Sequence, residues 1–187
     1  MAFPNASEIA TDTWTVGALQ KTQRGLNCCP ITCNSKPAVY QLTSLSEPLL
    51  APWGASAFKD PEATRLNVDA NLDENPKLQE ALERVDAWAQ AALTTAGMHG
   101  VYKPLVVANA KYPPRLRMKM ATAGQHATRL WSSEKQPIQD ADLRGARIVP
   151  VVQFSKLWQA SGMTGLTCDL KHAIVESSAA AACPAMF

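Results

Sequence analysis

Three cations at alternate positions, Arg115, Arg117 and Lys119, are the residues of this chain whose type and spacing speak most directly of chemistry. In a β-strand, residues i, i+2 and i+4 share one face at intervals of about 6.6 Å. The three positive ends then project together, while Leu116, Met118 and Met120 enter a core. Like charges in a row repel one another. An anion laid across them relieves that repulsion, and a nucleic-acid backbone offers one phosphate after another. Two plainer explanations stay open at this level: a solvated face, or an edge strand protected by charge against aggregation.

Aromatic residues flank the row. Tyr112 precedes it, Trp131 follows it, and Trp158 lies two residues beyond Lys156. Single-stranded nucleic acid is held by a cationic groove together with rings on which bases stack, each worth roughly 1–3 kcal/mol. Core packing is the competing role for each ring, because aromatic side chains bury large areas wherever they fall. With Lys111, Arg147, Lys156 and Lys171 as assisting cations, the candidate site comprises Lys111, Tyr112, Arg115, Arg117, Lys119, Trp131, Arg147, Lys156, Trp158 and Lys171.

The balance of charge is small overall but unevenly placed. Against 18 Lys and Arg stand 16 Asp and Glu, a formal net charge of +2. Residues 62–100 hold seven acidic and three basic side chains, whereas residues 101–158 hold ten basic and three acidic. Segregation of this kind concerns partners rather than fold, and it points to a polyanion or an acidic protein surface. Enzyme signatures are missing: there is no Gly-rich phosphate loop, no G-x-S-x-G, and no H-E-x-x-H. Asp140 and Asp142 read as loop residues, and His172 as a hydrogen-bonded core histidine on an inward-facing position. Cys28, Cys29 and Cys33 crowd together without a paired C-x2-C motif, so free thiols are expected, with no metal and no cofactor. No apolar run reaches the roughly 18 residues of a membrane span. A soluble intracellular protein without a membrane partner is therefore expected.

The elements that would position these side chains can be read in turn. The 187 residues, 47% of them hydrophobic, suffice for one domain with a substantial core. Residues 1–37 lack a sustained period and read as an irregular N-terminal arm. Short strands are predicted at 38–43 and 65–69, around a loop at 46–60 in which Trp53 and Phe58 lack an obvious place. Asn75-Pro76 opens a helix over 76–96, with Asn75 as capping residue and Gly97 as its stop. Its apolar stripe runs through Leu78, Leu82 and Val85, and its charged face, including Glu80, Glu83, Arg84 and Asp86, is expected to meet water. Residues 102–107 suit another strand. Residues 144–175 alternate at period two on either side of Gly162 and Gly165, and so predict a closing β-hairpin. Pro150 within it argues for an edge position or a bulge.

The run D-L-R-G-A-R-I-V-P-V-V-Q-F-S-K-L-W from Asp142, with G-L-T-C-D-L-K-H-A-I-V from Gly165, resembles the closing hairpin of OB-fold single-stranded-DNA-binding proteins of the phage T7 type. Together with residues 37–69, the helix and the Tyr112-Pro113-Pro114 strand, it also resembles an uncharacterised family of large DNA viruses of algae and protists. The resemblance implies a mainly β, α+β fold. Its centre is an OB-like five-stranded Greek-key barrel over 38–176 with the helix inserted, preceded by the arm and followed by a tail at 177–187. It further implies a sequence-tolerant binder of single-stranded DNA or RNA, DNA preferred, in replication, recombination or repair, in the nucleus or at a viral replication site. The phage-type binders end in an acidic tail with a terminal aromatic residue, whereas residues 177–187 end in Phe187 and contain no acid, so partner recruitment through the tail is not expected. The alternative is a non-enzymatic assembly subunit, such as a minor virion component, meeting an acidic protein through its basic face and forming homo-oligomers or other contacts through its arm. Replacing Arg115, Arg117 and Lys119 together by Ala is expected to reduce the salt dependence of nucleic-acid binding without unfolding the protein, which a salt titration and a thermal melt would check.

Overall fold

Alternation of apolar and polar residues generates most of the chain's secondary structure. The computed structural model describes residues 3–22, 25–56, 63–139 and 142–176. Two 3-10 turns are followed by β1 (Trp14–Val16), β2 (Gln20–Lys21), β3 (Asn27–Cys33), β4 (Lys36–Gln41), β5 (Leu49–Ala51), β6 (Ala55–Ser56) and β7 (Arg65–Asn71). Helix α1 (Pro76–Thr95) comes next, then β8 (Val101–Lys103), β9 (Val106–Asn109), β10 (Tyr112–Ala121), β11 (Arg129–Ser132) and β12 (Pro137–Ile138). The long strands β13 (Ala146–Ala160) and β14 (Met163–Glu176) close the fold.

The class is mainly β with one long helix, as expected, but the sheet is larger than a five-stranded barrel. Fourteen strands among the described residues join, along a main path β1-β3-β4-β13-β14-β10-β7-β6. Its end strands, β1 and β6, pair with β3 and β7 and not with each other. Three of the surplus strands, β1, β2 and β3, come from the stretch expected to be an irregular arm. Trp14, Cys29 and Ile31 are buried, and β3 pairs with both β4 and β13. Cysteine packs as a small hydrophobe, so NCCPITC is a strand whose apolar face the usual β-formers do not advertise. The loop expected at 46–60 likewise contains β5 and β6, while Phe58 and the tail lie outside the described residues.

Between the helix and the sheet lies the core. Leu78, Leu82, Val85, Ala89 and Leu93 of α1 join Leu116 and Met118 of β10, Phe154 of β13, and Leu166 and Cys168 of β14 in one cluster. Trp14 meets Trp88 edge-on at 4.9 Å, and its Nε1 donates to the Tyr40 hydroxyl at 3.0 Å. Because even-numbered residues of β10 enter this core, its odd-numbered residues must face away from the helix. Asn75 forms no side-chain cap, and Pro76 at the first helical position opens the helix instead. Past its end, the Met98 amide donates to the Leu93 carbonyl at 2.9 Å.

The closing hairpin turns at Ser161 and Gly162, both at positive φ (49° and 74°), the pair of values that a two-residue type I′ turn requires. Gly165, expected to bracket this connection, lies inside β14 instead. Pro150 sits in a central strand rather than at an edge. On one side of β13, pairing passes there from β5 (Ala146–Ile148) to β4 (Val151–Phe154), so the missing donor falls between two partners. β14 bulges at Lys171, opposite Val151 and Val152, and β13 bulges at Ser155, between Phe154 and Lys156. The first of them shifts the phase of β14. Ala173 and Val175 are buried, whereas His172 and Ile174, both expected inward, are half-buried on the other face.

Asp86 also departs from expectation. It faces the protein interior, where it accepts hydrogen bonds from the Tyr102 hydroxyl (2.6 Å), the Leu105 amide (2.9 Å) and the Val106 amide (3.1 Å). These bonds attach the segment around Pro104, which separates β8 from β9, to the helix. Burial raises the Asp86 pKa, and the three donors oppose that rise. Asp86→Ala would leave those donors unpaired and is expected to cost about 3 kcal/mol, read as a lower urea midpoint at unchanged slope.

Candidate functional site

Strand β10 carries the three cations, and its antiparallel neighbour β7 decides their environment. The register sets Arg115 opposite Asn71, Arg117 opposite Asp69 and Lys119 opposite Asn67. Asp69 accepts one bond from Arg115 Nη1 at 3.3 Å and two from Arg117, from Nε at 3.1 Å and Nη2 at 3.2 Å. One carboxylate thus serves two guanidiniums. Lys119 Nζ donates to the neutral Asn67 Oδ1 at 2.6 Å. The row is therefore compensated in part from within the fold, by β7 and not by the acidic helix.

Its members differ in access. The side chain of Arg115 is 11% exposed and that of Arg117 48%, so the first is a structural cation and the second a reachable one. Arg115 lies with Cζ 4.5 Å from the Trp53 ring centroid and 5.4 Å from that of Tyr112. Removing Arg115 together with Arg117 would leave Asp69 without either guanidinium and uncover these rings, so the triple substitution is now expected to destabilise the fold as well as alter the site. Its hydrogen bonds to Asp69 raise the Arg117 pKa. Lys119 is held below its ordinary value, first by desolvation and then by repulsion from Arg65 and Arg117.

Three depressions on this face share Lys119. One runs toward Trp53, past Arg115, Asp69 and Arg117. A second is bordered by Lys103, Pro104, Lys156, Trp158 and Met163. The third holds Arg65, His126, Ser155, Lys156, Asp169 and Lys171. Across all three, seven Lys and Arg side chains face two carboxylates, and both carboxylates are engaged already, Asp69 as above and Asp169 by Arg65. The surface is left strongly positive. Trp158 forms part of its wall because its partner across the hairpin is Gly165, where a Cβ would stand 2.8 Å from the indole. A glycine is required there if the ring is to lie against the strand.

The predicted site residues divide accordingly. Arg115, Arg117, Lys119, Lys156, Trp158 and Lys171 line the joined depressions, and Tyr112 with Lys111 stands at the Arg115 end, Lys111 Nζ lying 5.4 Å from the Tyr112 ring. Arg147 lies elsewhere and pairs with Glu74 at 3.4 Å. Trp131 is also apart: its Nε1 donates to His172 Nδ1 at 3.5 Å, and Phe3 covers the same imidazole at 5.9 Å. Missed from sequence were Trp53, Arg65, Asp69 and Lys103. Arg65 and Asp69 were legible, since the alternation that defines β7 places them with Asn67 on its polar face, whereas nothing local to the Pro-rich loop announces Trp53.

A scan of protein-family models finds none that matches this chain, and a search of curated proteins finds no match. Among solved structures, the chain is similar to the crystal structure of gp2.5, a single-stranded DNA binding protein encoded by bacteriophage T7, with a TM-score of 0.46 and 14% sequence identity. That likeness covers 75% of this chain and 86% of the other. At that identity and score it assigns no function, and the site stands on its own geometry.

The His172 pair carries a pH dependence. Desolvation, with repulsion from Arg129 and Lys171, lowers its pKa, and protonation of Nδ1 would remove the acceptor for Trp131. The unfolded chain takes up this proton near pH 6.5 and the folded one at lower pH, so this contribution to stability is complete above about 6.5 and is lost as pH falls toward the folded value. His172→Gln is expected to flatten the stability profile in that interval, as measured by denaturation at a series of pH values.

Proposed function

We propose that this protein binds single-stranded nucleic acid, without reading its sequence, along the depressions that meet at Lys119. The observation that carries this is the excess of seven cations over two engaged carboxylates on one concave face. Lys119 sits at the junction, partly desolvated and repelled by Arg65 and Arg117. An anion placed there offsets both penalties at once. Successive phosphates suit a surface of this kind better than a single small anion, because the cations are spread over β7, β10, β13 and β14 rather than gathered around one point.

Unpaired bases suit it better than a duplex. The cations lie in depressions of a sheet, not on a helix or ribbon that could enter a groove of double-stranded DNA, and Tyr112 and Trp158 offer ring surface beside them. Lys103, Lys119, Lys156 and Lys171 are flexible point charges suited to phosphate rather than to a base edge, which fits tolerance of sequence. DNA as the preferred strand, and a role in replication, recombination or repair, follow from the resemblance of the closing hairpin.

Salt tests the proposal. Binding to oligo(dT) is expected to weaken on a log–log plot with a slope of about −0.7 per phosphate neutralised. Lys119→Ala, Lys156→Ala and Lys171→Ala combined should make that slope shallower by about 2, since each lysine neutralises one phosphate. These side chains sit around the junction and not in the core, so the thermal midpoint should move little. A slope identical to wild type would remove the groove from the binding site. Tight binding to an acidic protein with none to oligo(dT) would favour the assembly reading.

A further inference from the structure

Trp53 is 42% exposed and Tyr112 40%, and the two rings meet edge-on at 5.5 Å and 85°. One face of the indole lies over the Arg115 guanidinium, 4.5 Å from centroid to Cζ. Arg115 itself is nine-tenths buried, shares Asp69 with Arg117, and its Nε has no acceptor among the described residues. The ring is thus held in place on a cation at one end of a positive groove, and much of its surface stays open to solvent. An indole of this size is ordinarily covered. An occupant that suits both features carries a flat apolar face and a negative charge together. A polyphosphate or an acidic peptide supplies the charge without the face, and a nucleotide supplies both.

We propose that Trp53 is the platform on which a nucleobase stacks, with Arg115 supporting the ring from one side and Tyr112 walling it at its edge. This rests on the nucleic-acid reading of the groove and adds to it a base subsite that the cationic row alone does not contain. Contact between Trp53 and the guanidinium holds the indole in one orientation before a strand arrives, so little ordering remains to be done on binding. The subsite also makes the groove unequal along its length. A base is gripped at the Arg115 end, and phosphates are gripped around Lys119.

The test compares an oligo(dT) with an abasic oligomer of equal length, each titrated into full-length protein by fluorescence anisotropy. Trp53→Ala is expected to weaken oligo(dT) at least about fivefold and to leave the abasic oligomer unchanged, with Trp53→Phe retaining most of the affinity. A second measurement holds even if the alanine variant fails to fold: oligo(dT) should quench wild-type tryptophan emission, and Trp53→Phe should lose a distinct part of that quench while still binding. Equal weakening of both oligomers would show that Trp53 acts by holding Arg115, and would overturn the platform. So would an unchanged affinity for both. Wild-type protein that binds neither oligomer would instead overturn the groove reading from which the platform derives.

Discussion

A single carboxylate makes the cationic face possible. Asp69 sits across the β7–β10 pair and bonds to both Arg115 and Arg117, neighbours on one strand face that would otherwise repel each other at close range. A buried guanidinium without a partner is costly, and Arg115 is nearly buried. Asp69 meets that need and orients Arg117 with two bonds, yet it supplies one negative charge where two positive ones stand. Lys119 receives a neutral amide instead of a second acid. Compensation is enough to keep the strand folded and too little to silence the face. Had Asn67 and Asn71 both been acidic, each cation of the row would stand opposite a carboxylate of its own.

Period two was the most informative signal in the chain, and it succeeded where one face was apolar and the other charged. Leu116 and Met118 against Arg117 and Lys119 give β10 its orientation without ambiguity, and the hairpin and the helix are equally plain. It failed where chemistry blurred the contrast. β3 alternates cysteine, proline and threonine, so its apolar face reads as polar and a paired strand looks like an arm. It failed again where geometry intervened, because one extra residue, Lys171 of β14, exchanges inside for outside along the rest of that strand, and no local feature around His172 records that. Of the site, the cations that share a strand were legible. Those that converge from β7, β8, β13 and β14 depend on strand order, which the residues of any one strand do not encode. Asp86 was misplaced because an acid on a helix is ordinarily solvated, and its partners lie beyond the helix end in a segment that must supply the donors.

The two bulges of the closing hairpin, at Lys171 in β14 and at Ser155 in β13, bear on shape as well as register. Each bends the bulged strand and sharpens the local twist. The second falls at Phe154 to Lys156, and Lys156 borders two of the three depressions on the charged face. Concavity and irregularity therefore coincide in a strand that an unbroken ladder would have kept flatter. Gly165 acts alongside them, since the absence of a side chain lets Trp158 lie against β14.

The three bonds received by Asp86 reach further than their energy suggests. They fix Leu105 and Val106, and just before these stand Lys103 and Pro104, which border the charged face on the far side of the sheet from α1. Helix and rim are joined by one short rigid strut through the interior. One buried carboxylate thus ties the helix that carries the acidic outer surface to the segment that carries Lys103 at the margin of the basic one.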